Sequence, residues 1–510
     1  MRNRLLAALF VLSFFYARGQ IQQPAENQIY LKELSNWNGS HLRNQGGIQA
    51  YSDLWGYAAN GHEYAIIGAL DSFYFIEVTD PRHPVVRSRQ AGRYKMCFHR
   101  EFKTYKHYCY AIGDEGNSSL QIFDMQYLPD SVHKVYDSDT LSQDSHTLWI
   151  DTAKSRLYLN ADFIQYSHTY PEDVFLPMLV LSLENPEVPV SLGPPSSFWL
   201  TQDIAYVHDC HVRGDTAYLA CADQGLYIFN FKSPQIPLFV NSLQVYTQRG
   251  YNHSNWITAD GKTLVFTDET PGTEVKVCDI SDIQNPKTLS PLFYPPEAYF
   301  GQDYQYGSTP HNPYIIGNNL LYMSYYQDGV LVYDISNPKS PQKIAQFKTY
   351  PHADSIPLSK RYKGFMGCWG VYPFLPSGNI IAADMANGLF VLRLDTIINT
   401  TDANNNLLGQ DSLTLAGVEK INNSVLPIIS IYPNPASGTI HVNISTVSAN
   451  NFDFELSDAS GKKIWQDNKQ ILAGKSSFGI SLPNSQLTPG MYFLKIQSGG
   501  KFETVKVLAE

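Results

Sequence analysis

Short apolar runs parted by turn residues fill the first four-fifths of the chain. In HNPYIIGNNLLYMSYYQDGVLVYDISNPKSPQKIAQFK the runs Pro313–Ile316, Leu320–Tyr325, Val330–Asp334 and Lys343–Phe347 are separated by clusters of Gly, Asn, Asp and Pro. Runs this short predict strands, and the residues between them are those that tight turns require. The pattern returns as DQGLYIFNFKSPQIP, DSFYFIEVTDPRHP and EVKVCDISDIQNPKTLSP, more loosely as EGNSSLQIFDMQYLPD and MLVLSLENPEVP, and a last time as DMANGLFVLRLD. Seven copies of a four-stranded unit, about 40 to 60 residues apart, predict an all-β fold, a seven-bladed β-propeller over residues 28–395. A β-solenoid or two separate sandwiches rank below it, because solenoid rungs are shorter and more uniform.

Closure is where a ring is weakest, since an open end leaves an unpaired edge. The seventh unit stops after its third strand at Leu394, while QIYLKELSNW, Gln28–Trp37, precedes the first unit as a strand without a sheet. The two irregularities cancel if the leading strand completes the last blade. Beyond Asp395 an Asn-rich stretch without a steady period, 396–426, reads as a linker. Alternating strands then return over 427–510 with Pro-Asn-Pro and Ser-Gly-Gly turns, which predicts a small Ig-like β-sandwich.

Composition narrows the setting. The 510 residues include 34 Tyr and 26 Phe, and the net charge of −10 comes without a long basic run, which argues against nucleic acid as a partner. MRNRLLAALFVLSFFYARGQ has two early arginines, an apolar stretch too short to span a bilayer, and small residues near Gly19. This reads as a signal peptide, residues 1–19, with no transmembrane segment in the mature chain. Six cysteines in an exported chain can pair, and Cys97–Cys109 and Cys210–Cys221 are spaced to clamp hairpins, although spacing alone does not fix connectivity.

Two resemblances follow from motifs. Tyr432-Pro-Asn-Pro435, Asp458-Ala-Ser-Gly-Lys462, Leu487-Thr-Pro-Gly-Met-Tyr-Phe493 and the terminal Lys506-Val507 resemble the type A sorting domain of the type IX secretion system. That implies the secretion machinery as a partner, passage across the outer membrane, and release or attachment at the cell surface. Leu226–Asn230, Val330–Asp334 with Ile335-Ser-Asn-Pro338, and Gly367-Cys-Trp-Gly-Val-Tyr-Pro373 resemble the LVIVD repeats of the choice-of-anchor B family. The second likeness implies a propeller and a surface location and supplies no chemistry.

Candidate chemistry sits where each innermost strand begins. The series Trp55, His99, His146, His211, His253, His311 and Trp369 is matched by Asp71, Asp114, Asp162, Asp223, Asp268, Asp328 and Asp384 in the turns between second and third strands, each pair 12 to 17 residues apart. Antiparallel pairing predicts that each ring meets its own blade's aspartate. Such a rim offers ligands for a divalent metal or acid–base partners, but a pair copied with the repeat is first of all a structural fastener. In His208-Asp-Cys-His211 the second histidine belongs to the series and the first is extra. Residues three apart on a strand point to opposite faces, so the two do not chelate one ion. His211 and His253 remain weak metal candidates. Two long connections break the repeat, and they carry Tyr166, His168 and Tyr170, then Tyr299, Tyr304 and Tyr306. Tyrosine-rich loops suit a carbohydrate, peptide or protein-surface ligand. Glu172, Asp173 and His168 are the asymmetric acid–base candidates, and no nucleophile elbow, HExxH, P-loop or EF-hand is present. A ligand- or protein-binding scaffold leads, adhesion shares its features, and a metal-assisted hydrolase or lyase is the alternative.

Overall fold

The computed structural model describes residues 28–39, 49–164, 174–292, 309–350, 365–397, 400–401, 407–408, 428–432, 439–446, 450–458, 462–471, 474–481, 490–498 and 501–509. The signal-peptide segment, Tyr166, His168, Tyr170, Glu172, Asp173, Tyr299, Tyr304 and Tyr306 lie outside them. The chain divides into two compact units, Met1–Leu408 and Gly409–Glu510.

The first unit holds seven four-stranded antiparallel sheets. Their innermost strands are Tyr51–Ala59, Arg100–Tyr105, Asp144–Asp151, Asp209–Arg213, Asn252–Ile257, Pro313–Ile316 and Cys368–Tyr372, here blades 1 to 7. Apolar residues of adjacent sheets meet in seven buried clusters, one in each gap between neighbours, including the gap between blades 7 and 1. A four-stranded sheet is apolar on both faces here, and only stacking on two sides removes both from water.

The ring closes as its ends require. Gln28–Trp37 pairs antiparallel with Gly388–Ile397, Leu31 opposite Leu394 and Trp37 opposite Leu389, with a bulge between Glu33 and Ser35. Leu31 is buried in the cluster between blades 6 and 7. At Gly388 φ is +80° and an added Cβ would lie 2.5 Å from the Trp37 carbonyl oxygen, so the latch strand seats only against a residue without a side chain. The turns that leave the third strands are built alike. Asp124, Asn230, Asp279 and Asp334 each accept the backbone N–H two residues on, at 2.8–2.9 Å, which is the Asx-turn that fixes this hairpin.

The expected disulfides do not form. All six cysteines are buried free thiols. The strand register explains this, for it sets Thr104 opposite Cys109 and Leu219 opposite Cys210. The cysteines serve as small apolar core residues.

In the second unit, Ile428–Tyr432, Thr439–Thr446 and Gly474–Ser481 form one sheet, and Lys463–Ile471, Asn450–Asp458, Gly490–Ser498 and Lys501–Ala509 another. Val442 of the first joins Phe452, Phe454, Leu456, Leu494 and Val507 of the second in one core, so the segment folds as a two-layer sandwich. The span expected to be a linker contains one short pairing, Thr400–Thr401 with Leu407–Leu408.

Candidate functional site: a histidine-rimmed cup

The innermost strands open onto a cavity of about 520 Å³. At its rim blades 2 to 7 each place one ring: His99, His146, His208, His253, His311 and Trp369. Consecutive centroids are 5.8, 4.4, 4.0, 4.5 and 5.1 Å apart, and Trp369 returns to His99 at 5.4 Å. The six rings close a crown. Blade 1 supplies Gln49 to the lining instead.

Acidic groups meet this crown from two blades. From blade 2, Asp114 lies 3.0 Å from His99 Nδ1 and 2.5 Å from His146 Nδ1, while Glu115 lies 2.5 Å from His99 Nδ1. From blade 5, Glu269 sits 3.7 Å from His253 Nε2 and 3.9 Å from His311 Nε2, and accepts a hydrogen bond from Tyr326. The crown is therefore electrostatically lopsided. Burial lowers His99, but hydrogen bonds to Asp114 and Glu115 outweigh it and lift the imidazole to about 10. Burial raises Asp114, yet the bonds from His146 and His99 hold it well below the usual carboxylate range. Opposite, burial pulls His208 and His253 far below their ordinary value and His311 to about 3. Those three imidazoles are neutral at physiological pH. Burial also lifts Glu269 to about 7.

Further along the inner strands lies a second tier of Asp53, Glu101, Asp209 and Lys103, all lining the same cavity. Lys103 Nζ stands 2.5 Å from Glu101 and 4.3 Å above the Trp55 ring. Below it Trp55, Trp149, His211, Trp256, Tyr314 and Tyr372 pack against one another in edge-to-face and tilted pairs. The channel is a cup with an aromatic floor.

Three sequence expectations need correction. Trp55, the blade-1 member of the series, does not stand at the rim but packs in the floor against Tyr314 and Tyr372. His211 is not a rim residue: it lies between Trp149 and Trp256, at 4.4 and 4.8 Å, and burial lowers it to about 3. His208 holds the rim position, directly before its strand. The signal was present, since His208 precedes Asp223 by 15 residues, the interval that also separates His99 from Asp114, His253 from Asp268 and Trp369 from Asp384. Among the described residues the direct pairing of a ring with its own blade's aspartate is seen at His99–Asp114. Asp268 is taken by Lys276, Tyr246 and the Gly250 N–H at 2.8–3.0 Å. Asp384 accepts from Thr349 and the N–H groups of Ala386 and Asn387 at 2.6–2.9 Å. Asp162 accepts from Ser145 at 2.5 Å, and Asp71 from Ser72 and Arg89 at 2.7 and 2.9 Å. Asp223 is exposed, Asp328 is buried, and neither lines the cup. Asp71, Asp162, Asp268 and Asp384 fasten backbone and neighbouring strands, and two of the carboxylates that face the crown beside Asp114, Glu115 and Glu269, are the residues immediately after turn aspartates. Sequence reading missed these two, His208, and the whole second tier.

Residues 430–510 match the model of a secretion system C-terminal sorting domain. No curated protein matches the chain. Among solved structures the chain is similar to PorZ, a bacterial surface component of the type-IX secretion system of Porphyromonas gingivalis, at 12% identity and TM-score 0.44, covering 90% of this chain and 59% of that one. It is similar to the periplasmic gluconolactonase PpgL of Pseudomonas aeruginosa, at 9% identity and TM-score 0.46 over 85% and 99% of the two chains. It is also similar to the WD40 repeats of RRP9, at 12% identity and TM-score 0.46 over 72% and 100%. Among the described residues no helix is long and apolar enough to cross a membrane. The C-terminal unit carries the sorting domain, and the chain is exported across the outer membrane by the type IX system to the cell surface or the extracellular space.

Proposed function

We propose that the exported propeller is a binding protein whose cup takes a small polyhydroxylated ligand of the carbohydrate class. The observation that carries this reading is a cavity of about 520 Å³ whose lining sets Asp53, Asp209, Glu269, Ser254 and Asn255 among aromatic rings. Polar side chains converging on a confined cavity are how a small-molecule site fixes its ligand. The volume falls in the small-molecule range, too confined for a folded partner. Trp369, Tyr326, Tyr251 and Phe365 offer ring faces beside these groups, the pairing of flat apolar surface and hydrogen-bonding atoms that sugars need. The resemblance to LVIVD-repeat proteins agrees with a surface-displayed propeller.

The test is isothermal titration of the full chain against a panel of mono- and oligosaccharides. Saturable binding that weakens at least about tenfold in Asp53→Asn and Trp369→Ala supports the reading. Absence of binding across the panel, or binding indifferent to both substitutions, counts against it. A metal-assisted hydrolase or lyase is the second reading, favoured by neutral imidazoles beside Glu269, and turnover of a bound sugar would move the assignment to it.

A further inference from the structure

We infer that the cup holds one divalent first-row transition-metal ion on His208, His253 and Glu269. The inference deepens the binding function proposed above by adding an ion to the same cup. One donor atom from each of the three residues lies within 4.8 Å of the others. Two imidazoles and one carboxylate form a donor set that such ions favour.

Hydrogen bonding supplies an independent argument. His208 Nδ1 is 3.0 Å from the His253 carbonyl oxygen, so it carries the proton and leaves the Nε2 lone pair facing the cup. His146 Nδ1 is 2.5 Å from Asp114 Oδ2, so it too is the protonated nitrogen. The two Nε2 atoms nevertheless face each other at 2.8 Å. Two lone pairs at that distance repel unless a positive species sits with them, either an ion or a second proton on one ring. His311 is set the same way, its Nδ1–H donated to the Trp369 carbonyl at 2.5 Å. A carbonyl or carboxylate that pins Nδ1–H and turns Nε2 inward is how metal-binding imidazoles are oriented.

Distances around Glu269 separate an ion from a simple hydrogen bond. Its oxygens lie 3.7 Å from His253 Nε2 and 3.9 Å from His311 Nε2, beyond hydrogen-bond range. Donors that each stand about 2.0–2.2 Å from a shared ion are separated by roughly 3–4 Å. The His99–Asp114–Glu115 group, the other cluster of this type among the described residues, is already closed by direct contacts of 2.5–3.0 Å and has no place for an ion.

Cobalt(II) is the probe. Tag-free full chain is stripped with chelator, dialysed, and titrated while visible absorption and bound metal are read together. The expected result is one equivalent per chain with ligand-field bands, weakened at least about tenfold in Glu269→Gln and His253→Asn and unchanged in His83→Ala, an exposed histidine of blade 1. Circular dichroism checks folding, and Glu269→Gln alone decides if His253→Asn fails to fold. Folded wild-type protein that takes up no cobalt(II) would overturn the inference and assign the His146–His208 contact to a proton. Cobalt retained by both variants would overturn it as well. Sugar titrations of stripped and loaded protein separate the two readings: sugar bound without metal sinks the ion, and metal bound without sugar sinks the carbohydrate assignment.

Discussion

Replacing Lys103 with methionine probes the second tier of the cup. Its ammonium is buried against three carboxylates, 2.5 Å from Glu101, with Asp53 and Asp209 beside it. At an effective dielectric of 20 that contact is worth about 7 kcal/mol gross. Removing the ammonium from water costs several kcal/mol of this, but deleting it leaves the carboxylates uncompensated, for which ~3–5 kcal/mol is the usual loss. The sign with pH follows from the acids. Burial pushes Glu101 up to about 8 against the pull of Lys103, and burial likewise lifts Asp53 to about 6. Both values exceed those of the unfolded chain, so both groups favour the fold in their protonated form and that contribution is lost as pH rises through the folded values. Near pH 5 the acids hold their protons and the missing ammonium matters little; above pH 8 they are ionised and it matters most. Denaturant unfolding of the propeller, followed by tryptophan fluorescence at both pH values, should show a loss of ~3–5 kcal/mol at the higher pH and less than about 1 kcal/mol at the lower. Lys103→Met/Glu101→Gln should recover a large part of the loss at high pH. Equal losses at the two pH values would refute the electrostatic account and leave only the packing of the lysine stem on Trp55.

Three further outcomes are expected. Leu31→Ala, in the latch strand, should cost ~2–4 kcal/mol, and removal of residues 28–37 should expose the Gly388–Leu394 edge and produce concentration-dependent oligomers in light scattering. Gly329→Ala and Gly61→Ala share nearly the same φ, +80° and +79°, but an added Cβ at Gly329 meets the Phe347 carbonyl at 2.0 Å whereas at Gly61 it meets nothing within 4 Å. Melting curves should therefore show a loss of about 1 kcal/mol at Gly61 from conformation alone and a clearly larger one at Gly329; equal losses would mean that the backbone yields. His99, raised to about 10, contributes stability that is complete below its unfolded value near 6.5 and lost as pH climbs through the folded one. The melting temperature of the wild type should fall between pH 7 and 10, and more steeply than that of Asp114→Asn.

Much of the architecture was legible because it is repeated. Seven alternations of short apolar runs and Asx turns set the blade count, and an unpaired first strand with a truncated last unit determined the closure, since both follow from local pattern and from the cost of an open edge. The cup was legible only in part. His99, His146, His253, His311 and Trp369 stand where the repeat placed them. His208 is harder to read, because His211 also fits the series and only its 12-residue interval to Asp223 marks it as the outlier. Glu101 and Lys103 share one face of a strand as i and i+2, but Asp53 and Asp209 carry no spacing signal, because they join them from other inner strands far apart in sequence. The state of the thiols was open for a similar reason: spacing allows Cys97–Cys109 and Cys210–Cys221, but the register sets Thr104 opposite Cys109 and Leu219 opposite Cys210.

The turn aspartate shows how a repeated fold can acquire one lopsided site. Its carboxylate is consumed locally, at Asp384 by two backbone N–H groups and Thr349, at Asp268 by Lys276, Tyr246 and Gly250. In blades 2 and 5 the side chain one position later reaches the crown instead, Glu115 at His99 and Glu269 beside His253 and His311. A carboxylate placed there reaches the imidazoles without disturbing the fastener. Blades 2 and 5 have Glu115 and Glu269 at that position; blades 1, 3, 4, 6 and 7 have Ser72, Phe163, Gln224, Gly329 and Met385. Asp114 is the one aspartate that also meets the crown, and it does so beside Glu115, which makes the blade-2 side a closed ion-pair network while the blade-5 side keeps a single carboxylate among neutral rings. Two glutamates out of seven equivalent positions thus divide an otherwise regular ring into a half that satisfies itself and a half left with donor atoms to offer.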